Sequence, residues 1–487
     1  MLQSSEGLTL RPGKNARVVW NSSFVVMALL RSISGLRATL GDALTPDVVT
    51  RHAIAFSNLT NSGPIVVGRD GRPSGLWIEN ILIGALRACG RTVHQLGMVP
   101  TPTVQLAVEH SNAAGGIVIT ASHNPEQWNG LKFVGDNGMF ISPSECDQLW
   151  QLADAPAFGL IDSQQAGAVV QVTDAISDHI YRVLQLIYGN EVQGNTGSTV
   201  VVDAVNCSGS RIVPMLLEKL GYNVVRINCE GTGVFTHPPE PIPENLSQLC
   251  QAVLTYNAVF GVAVDPDADR LVLVDHSGKP IGEEFTVTLA VEAALAMHAQ
   301  QNTSPDAAST RQPPTVTVNY STTRMVDDVA HGYGAHVYRS PVGEINVVQA
   351  MMVNNSIIGG EGSGGVIYPA CHSGRDAIVG LGLITKLLRD KRCTLQAACD
   401  AIPPYVMLKH KVQRSPDANI ALILERCTEA FPDAVQSTDD GVHLSWSDKW
   451  VHVRMSNTEP ILRIIVEAPS TEQAQYLLTT AAQLLVA

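Results

Sequence analysis

Residues 260–270, which read FGVAVDPDADR, decide the fold class of this chain. The apolar run Phe260–Val264 has the length and composition of a buried strand, and it ends in a loop that carries three aspartates. A second apolar run, Leu271–Val274, follows this loop directly. Because ligands of α/β proteins usually bind where strands end, the stretch predicts an α/β sheet with a functional loop at its edge.

The same order of strand, turn and helix recurs on both sides of this stretch. Three units are predicted, each bounded by a first and a last strand: Ile65–Gly68 and Gly116–Ile119, Thr199–Val202 and Phe260–Val264, and Thr315–Val318 and Ser356–Ile358. Each last strand leads into a polar loop, which begins at Thr120, Asp265 or Gly359. One such loop would be ordinary turn chemistry, but three at equivalent places indicate a repeated ligand-binding edge.

A smaller segment follows the third unit. From about residue 403 the pattern changes to short strands near Val442–Leu444, Trp450–Arg454 and Leu462–Glu467, with a final helix from about Thr471. The sequence therefore predicts an α/β fold with three similar mixed-sheet α/β domains and a smaller C-terminal α+β domain.

The domain boundaries follow from these patterns. The predicted domains span residues 27–185, 186–280, 281–402 and 403–487. Residues 1–26 are predicted to be a disordered leader or a start-site artefact, because polar residues interrupt the apolar stretch that a signal peptide would need. Met27 is then the expected start of the folded protein.

The composition predicts a soluble protein of several domains. The 487 residues suggest roughly three domains of typical size, and 45% hydrophobic against 16% charged residues argues against disorder. No apolar run approaches the roughly 20 residues that cross a membrane. The net charge of −13 argues against nucleic-acid binding. The nine cysteines, an odd number without CxxC pairs, predict reduced thiols and a cytoplasmic location.

The aspartate loop predicts a metal site. Asp265, Asp267 and Asp269 alternate along an extended loop, so that their carboxylates can converge on one point. A hard divalent cation would neutralise this charge. A calcium-binding EF-hand needs glycine at the sixth position of its loop, where this chain has Arg270, and Mg²⁺ is therefore favoured. The alternative is a solvated acidic turn.

The loop after the first unit contains a candidate nucleophile. Ser122 stands at the end of a predicted strand with His123 and Asn124, and Lys132 lies ten positions further on. A serine in this place could act as a nucleophile or carry a phosphoryl group, provided that cations and a metal stabilise the charge. The alternative is a helix cap, which is a common role of serine in such turns.

The third loop, residues 359–365, combines glycines with Glu361 and Ser363. Glycines allow close approach of a ligand to the backbone, and the two polar side chains can bond to sugar hydroxyls. A central glutamate disfavours a phosphate cradle, and the chain has no G-x-x-x-x-G-K-[ST] sequence, which argues against a P-loop nucleotide enzyme.

The fourth loop is cationic and rich in hydroxyls. Between Arg454 and Arg463 it contains Ser456, Asn457 and Thr458, a set that suits a phosphate dianion. The alternative is an ordinary hairpin with a surface arginine. Together the four loops predict phosphoryl transfer on a sugar phosphate.

The four loops resemble, in order, the signature loops of the α-D-phosphohexomutase superfamily. The matching stretches are TASHNP at residues 120–125 together with Lys132, DPDADR at 265–270, GEGSGG at 360–365 and RMSNTEPILR at 454–463. The resemblance extends from Arg31 to the carboxyl terminus. It implies four domains around a central cleft and a sugar phosphate as the small-molecule partner, with neither nucleic acid nor membrane, in a monomer or homodimer.

The resemblance also implies a role for each site residue. Ser122 is expected to be the phosphoserine and, with Asp265, Asp267 and Asp269, to bind one Mg²⁺. The remaining residues fall into a group around the transferring phosphoryl group and a group that binds substrate: Arg37, His123, Lys132 and Arg270, and Glu361, Ser363, Arg454, Ser456, Asn457, Thr458 and Arg463. The implied reaction passes the Ser122 phosphoryl group to a hexose phosphate, and a sugar bisphosphate intermediate, which also serves as activator, returns its other phosphate.

The preferred sugar is a finer question. The opening RSISGLRA at residues 31–38 and the third and fourth loops resemble most the phosphoglucosamine mutase branch, with phosphomannomutase and phosphoglucomutase as the alternatives. A sugar-phosphate phosphatase and a non-catalytic binder are the more remote alternatives. Many relatives carry histidine, a candidate general acid/base, where this chain has Gly365; Lys132 is the leading candidate here and His372 a second.

Overall fold

The computed structural model describes residues 29–155, 165–190, 194, 196–301, 312–413, 420–455 and 461–486. The predicted leader, residues 1–26, and Met27 lie outside the described residues. Within them the chain forms three sheets that mix parallel and antiparallel strands and a fourth sheet that is antiparallel throughout. The predicted fold class, three similar α/β domains and a smaller α+β domain, is confirmed.

The first unit contains seven strands and five helices, with these bounds: β1 Leu30–Ser32, β2 Gly35–Thr39, α1 Pro46–Leu59, β3 Ile65–Arg69, α2 Gly75–Ala88, β4 Val93–Met98, α3 Thr101–Glu109, β5 Gly115–Ile119, β6 Trp128–Val134, α4 Pro143–Asp154, β7 Val169–Gln171 and α5 Ala175–Tyr188. Its strands lie in the order β1-β2-β6-β5-β3-β4-β7. The short hairpin of β1 and β2 extends the sheet and was not predicted.

The second and third units contain four strands each. The second contains β8 Thr199–Asp203, α6 Gly209–Lys219, β9 Asn223–Ile227, α7 Ser247–Thr255, β10 Phe260–Val264 and β11 Leu271–Asp275, and α8 Glu283–Gln301 leads onward. The third contains β12 Thr315–Asn319, α9 Met325–Gly332, β13 His336–Ser340, α10 Glu344–Val353, β14 Ile358–Glu361, β15 Gly365–Ile367, α11 Ala377–Lys391 and α12 Leu395–Asp400.

The fourth unit contains five antiparallel strands flanked by helices: β16 Val406–Gln413, α13 Ile420–Ala430, β17 Val435–Ser437, β18 Val442–Ser445, β19 Trp450–Met455, β20 Ile461–Ala468 and α14 Thr471–Val486. The strands lie in the order β16-β20-β19-β18-β17. The predicted strands of this segment and its last helix are therefore confirmed.

The first three units share one topology. Their strands lie in the orders β6-β5-β3-β4, β11-β10-β8-β9 and β15-β14-β12-β13. In each unit the first three strands are parallel and the fourth pairs antiparallel with the third. The turn between the third and fourth strands holds one of the three predicted loops, so the repeat places these loops equivalently.

One continuous core joins the first three units. One buried cluster contains Val66 and Val183 of the first unit, Val262 of the second and Val318 of the third, whereas the fourth unit has its own core. Helix α11 lies centrally, because every residue from Ala377 to Leu388 is buried, as expected of a helix that is apolar on all sides.

Local sequence explains where several helices begin. Thr45 and Ser142 cap α1 and α4, and a proline follows each cap at the first helical position. Glu145 completes a capping box with Ser142. Asp376 caps α11 by accepting a hydrogen bond from the backbone N–H of Ile378.

The end of the third unit differs from the prediction. The strand was expected at Ser356–Ile358 with the loop starting at Gly359, but β14 runs from Ile358 to Glu361 and pairs with β15. Glycine is needed here because a Cβ at Gly359 would overlap the carbonyl oxygen of Thr317 on the neighbouring strand. These glycines serve close strand packing, and the loop itself is shorter than predicted.

Two further observations concern the described part of the chain. No helix within it is both long enough and apolar enough to span a membrane. All nine cysteines of the sequence lie within the described ranges and are free thiols, as predicted.

Candidate active site

Ser122 occupies a strained turn between β5 and β6. Its φ of 50° lies in the left-handed region, which is uncommon for a residue with a side chain. The side chain is buried, and Oγ donates a hydrogen bond to Oδ2 of Asp265 at 2.9 Å. No helix begins in this turn, so the alternative of a helix cap is wrong. Strain at a buried hydroxyl is typical of a functional position.

Arg72, in the turn after β3, holds the Ser122 turn in place. Its guanidinium is fully buried and donates to the carbonyl oxygens of Ser122, Asn124, Pro125 and Trp128 at 2.6–3.0 Å. Nε donates to Oδ2 of the buried Asp70 at 3.0 Å. One side chain therefore fixes four carbonyl groups between Ser122 and Trp128, in the turn that contains the candidate nucleophile.

The aspartate loop stands directly opposite Ser122. Oδ1 of Asp265 accepts the backbone N–H groups of Asp269 and Arg270 at 3.2 and 3.1 Å, which curls the loop around this carboxylate. Ala268 at the turn has a φ of 51°. Asp267 accepts the hydroxyl of Thr101, at the start of α3, at 2.6 Å. The first and second units thus meet at this loop.

The three aspartates fit a divalent cation. One carboxylate oxygen from each lies within 4.8 Å of the others. Oδ1 of Asp267 and Oδ1 of Asp269 are buried without a hydrogen-bond partner, which is costly for a carboxylate unless an ion binds there. Burial and the two neighbouring carboxylates raise the pKa of Asp265 well above its usual value. Hard oxygen donors of this kind suit Mg²⁺.

Lys132 lies on β6 and reaches the same loop. Its Nζ is buried 2.7 Å from Oδ2 of Asp267 and 3.1 Å from Oδ2 of Asp269. Burial disfavours its charged form, but the two carboxylates outweigh burial and raise the pKa of Lys132. The side chain is therefore an ammonium in this state.

Arg375 joins the aspartate loop to the sugar loop. Its Nη2 donates to Oδ2 of Asp269 and its Nη1 to Oε2 of Glu361, both at 2.7 Å. Nε lies 3.1 Å from Oε2 of Glu344, the first residue of α10. Although burial opposes its charge, these carboxylates raise the pKa of Arg375 above its usual value. The sequence offered no prediction for this arginine.

The candidate sugar-reading residues differ in exposure. Glu361 is buried at the end of β14, and its Oε1 accepts bonds from Nδ2 of Asn319 at 2.8 Å and from the backbone N–H of Gly343 at 3.0 Å. Ser363 is partly exposed in the short loop that follows. Burial opposes ionisation of Glu361, but Arg375 outweighs it and lowers the pKa of this carboxyl.

Two further candidates, His123 and Arg37, lie close to Ser122. His123 Nδ1 is 3.3 Å from Ser122 Oγ, and Nη1 of Arg37 donates to Oδ1 of Asn124 at 2.9 Å. Arg270 and burial lower the pKa of His123 well below its usual value, so that the imidazole is neutral. His372 instead bonds to Asp376, at 3.1 Å.

The fourth unit presents a row of cations. In the strand register, Arg454 on β19 lies directly opposite Arg463 on β20, and Arg463 lies opposite Lys411 on β16. Like charges directly opposite one another across strands repel, and a bound anion would reduce this repulsion. Burial lowers the pKa of Arg454. Of the predicted clamp, Ser456, Asn457 and Thr458 lie outside the described residues.

Contacts between the third and fourth units bring this row towards Glu361. Asp440 accepts the backbone N–H of Val342 at 2.9 Å, and its other oxygen lies 3.9 Å from Nη1 of Arg454. The next residue, Gly343, is the one that bonds to Glu361. The cation row therefore lies close enough to Glu361 for this carboxylate to act on the charge of Arg454.

Sequence reasoning missed Arg72, Thr101, Arg375 and Lys411. Arg72 stands in the RDGRPS turn after the first predicted strand, and Arg375 stands in HSGRD, ten residues beyond Gly365. The one sequence signal for Arg72 is that its turn follows the end of a predicted strand. No local pattern indicates Thr101, Arg375 or Lys411.

Comparisons with known proteins cover most of the chain. Family models described as phosphoglucomutase/phosphomannomutase alpha/beta/alpha domains I, II and III match residues 29–159, 177–278 and 289–405, and the C-terminal domain model matches 411–484. A phosphoglucomutase/phosphomannomutase of Thermococcus kodakarensis is 33% identical over 94% of this chain and 99% of its own length. A probable phosphoglucosamine mutase of Methanopyrus kandleri is 32% identical over 91% and 95%.

Solved structures share the fold at lower identity. A phosphoglucomutase/phosphomannomutase family protein of Burkholderia thailandensis superposes with a TM-score of 0.79 at 23% identity, over 94% of this chain and 98% of the other. An N-acetylphosphoglucosamine mutase of Aspergillus fumigatus, solved with GlcNAc-6P and magnesium, gives a TM-score of 0.58 at 14% identity, over 94% and 95%.

Proposed function

The chain belongs to the phosphoglucomutase/phosphomannomutase family and is therefore a phosphohexomutase, and we propose that it interconverts glucosamine 6-phosphate and glucosamine 1-phosphate through a phosphoserine at Ser122. The observation that carries the proposal is the buried, strained Ser122 whose Oγ bonds to Asp265 at 2.9 Å, next to two carboxylate oxygens without partners. A hydroxyl so placed suits repeated gain and loss of a phosphoryl group.

The proposed reaction has two transfers. A sugar hydroxyl attacks the phosphorus of phospho-Ser122, the bond to Ser122 Oγ breaks, and a sugar bisphosphate forms. After this intermediate has reversed its orientation in the site, Ser122 Oγ attacks its other phosphate. The bond from that phosphorus to the sugar oxygen breaks, and the isomeric sugar phosphate is released. Both transfers need the phosphorus to be held close to the attacking oxygen. The hydrogen bonds from Arg72 to the Ser122 turn would help to hold it there.

The site residues divide this work between them. Asp265, Asp267, Asp269 and the phosphate of Ser122 would hold Mg²⁺, which supplies positive charge to the transferring phosphoryl group. Arg37, His123 and Arg270 are proposed to surround that group. Lys132 Nζ is proposed to give a proton to the departing oxygen and to take one from the attacking hydroxyl; its ammonium form suits the first of these steps.

The second phosphate of the substrate is assigned to the fourth unit. Arg454 and Arg463 form a row with Lys411 that an anion would stabilise. Ser456, Asn457 and Thr458 are proposed to complete the clamp. Glu361 and Ser363 are proposed to bond to hydroxyls of the ring between the two phosphate positions.

Glucosamine phosphate is proposed because several relatives are named as probable phosphoglucosamine mutases, including those of Methanopyrus kandleri at 32% and Pyrococcus abyssi at 30% identity. The second candidate is a phosphomannomutase or phosphoglucomutase activity, which the name of the Thermococcus kodakarensis relative at 33% identity favours. Ring hydroxyl recognition by Glu361 is compatible with each of these sugars.

The test measures isomer formation from glucosamine 6-phosphate, mannose 6-phosphate and glucose 6-phosphate, each with Mg²⁺ and a trace of hexose bisphosphate. The highest kcat/KM is expected for glucosamine 6-phosphate. A higher value for mannose or glucose 6-phosphate would replace the substrate assignment. Release of inorganic phosphate without isomer would show a phosphatase, and an active Ser122→Ala variant would contradict the phosphoserine.

A further inference from the structure

Gly365 is a glycine because another side chain fills the space beside it. Its φ is not in the positive range, unlike that of its neighbour Gly364 at 87°, so the backbone does not require glycine at this position. A Cβ at Gly365 would lie 3.0 Å from Cγ of Arg375 and would overlap Cδ. The methylene chain of Arg375 therefore excludes a side chain at position 365.

The backbone on both sides fixes Arg375. Its N–H donates to Oε1 of Glu344 at 3.2 Å, and the next residue, Asp376, donates its N–H to the carbonyl of Val366 at 2.8 Å. The Asp376 side chain caps α11 and also accepts bonds from two buried imidazoles, His179 at 2.8 Å and His372 at 3.1 Å. The guanidinium thus projects from a rigid base.

The guanidinium is placed between loops of different units. It bonds to Asp269 in the aspartate loop and to Glu361 at the end of β14, and it pairs with Glu344 on α10. Arg375 and Lys132 both donate hydrogen bonds to Oδ2 of Asp269. Oδ1 of Asp269 therefore remains as the oxygen that can bind a cation. A planar guanidinium carries its donors on three separate nitrogens and can hold carboxylates of different elements at once, whereas the donors of a lysine all lie on one atom.

We propose that Gly365 and Arg375 form a compensating pair, in which Arg375 takes the space of a side chain at position 365 and positions Asp269 and Glu361 relative to each other. Arg375 is then a positioning residue for the mutase reaction, and this inference rests on the proposed function. The pair predicts that position 365 accepts a side chain only when the side chain of Arg375 is shortened.

The steric half of the proposal is tested by thermal unfolding. Gly365→Ala is expected to lower the Tm by at least about 3 °C in the wild-type chain and by clearly less in an Arg375→Ala background. Gly84→Ala is the matched control, because a Cβ at Gly84 would contact nothing within 4 Å. Equal losses of Tm from Gly365→Ala in both backgrounds would overturn the pairing.

The positioning half is tested by kinetics and by Mg²⁺ binding. Arg375→Met and Arg375→Lys are expected to lower kcat about 100-fold and to raise, about tenfold, the Mg²⁺ concentration that gives half of the Mg²⁺-induced rise in Tm. Arg211→Met, at an exposed arginine of α6, is the control. A kcat within threefold of wild type and unchanged Mg²⁺ dependence in Arg375→Met would overturn this role.

A swap variant separates this inference from the proposed function. Gly365→His alone is expected to be inactive and less stable, and Gly365→His combined with Arg375→Ala is expected to have a clearly higher Tm than Gly365→His, because the space beside position 365 is then free. A double variant no better than Gly365→His would contradict the pair. If wild-type enzyme isomerised no hexose phosphate, the proposed function would fail, while the Tm comparison would still decide the pairing.

Discussion

Replacement of Arg72 is expected to loosen the Ser122 turn while the fold persists. The side chain is fully buried and makes five hydrogen bonds, four to carbonyl oxygens of the turn and one to Asp70. Arg72→Met keeps the length of the side chain but removes every donor. Asp70 then stays buried with Thr120 as its remaining side-chain donor.

The magnitude follows from these contacts. Hydrogen bonds to charged groups contribute about 1.5–3 kcal/mol each, but bonds that share one guanidinium do not add. Removal of one partner of a buried ion pair costs about 3–5 kcal/mol, and we expect Arg72→Met to cost this much. Arg72→Lys can supply at most three donors for the five acceptors, and we expect an intermediate loss of about 2 kcal/mol.

The assay is amide hydrogen exchange, because it reports local opening of the turn separately from unfolding of the rest of the chain. The amides of Ser122 and Asn124, which bond within the turn, are expected to exchange at least about 100-fold faster in Arg72→Met, with a fall in mutase activity. The control Arg51→Met removes an exposed i,i+4 pair on α1 and is expected to change stability by less than about 0.5 kcal/mol. Unchanged exchange of the turn in folded Arg72→Met would refute the reasoning.

Three further predictions concern charge. Burial raises the pKa of Glu284 to about 8 in the folded chain, whereas the pKa of this carboxyl in the unfolded chain is about 4.5. The protonated carboxyl therefore contributes its full stability at a pH below the unfolded pKa, and this contribution is lost as the pH rises through the folded pKa. Between pH 6 and 8 the wild type should lose about 2–3 kcal/mol more stability than Glu284→Gln, and parallel pH profiles of Tm would contradict this. Asp267→Asn should lower kcat at least about 100-fold but the Tm in chelator by only a few degrees, and a normal rate with Mg²⁺ would be incompatible with the metal site. Chelation should abolish turnover, and Mg²⁺ at 100 times its Kd should restore it and add about 2.7 kcal/mol of stability; full activity in chelator would count against the site.

The repeated fold was readable from the sequence because its elements are local. Runs such as Phe260–Val264 and Asn223–Ile227 are strands with the bounds expected from their β-branched residues, and turn residues mark their ends. The prediction failed at Gly359 and Gly360, which were interpreted as loop residues. These glycines are required by the close approach of a neighbouring strand, which is a tertiary contact that composition cannot reveal.

The site was predictable only where its residues stand in contiguous loops. Ser122 and Asp265 were identified from their own segments, and the structure brings them within 2.9 Å across 143 positions of sequence. Arg375 could not be identified in this way, because it acts through partners 106 and 14 positions away. Its importance lies in three carboxylates that meet only in the folded chain.

Transfer of a labelled phosphoryl group tests the central claim, that the reaction passes through Ser122. Enzyme labelled with radioactive phosphate by hexose bisphosphate is mixed rapidly with unlabelled glucosamine 6-phosphate and Mg²⁺. We expect Ser122 to carry the label and the label to pass to the sugar at a rate no slower than kcat, while Ser122→Ala takes up none. Label that stays on the enzyme while isomer accumulates would rule out a phosphoserine at Ser122 as the intermediate.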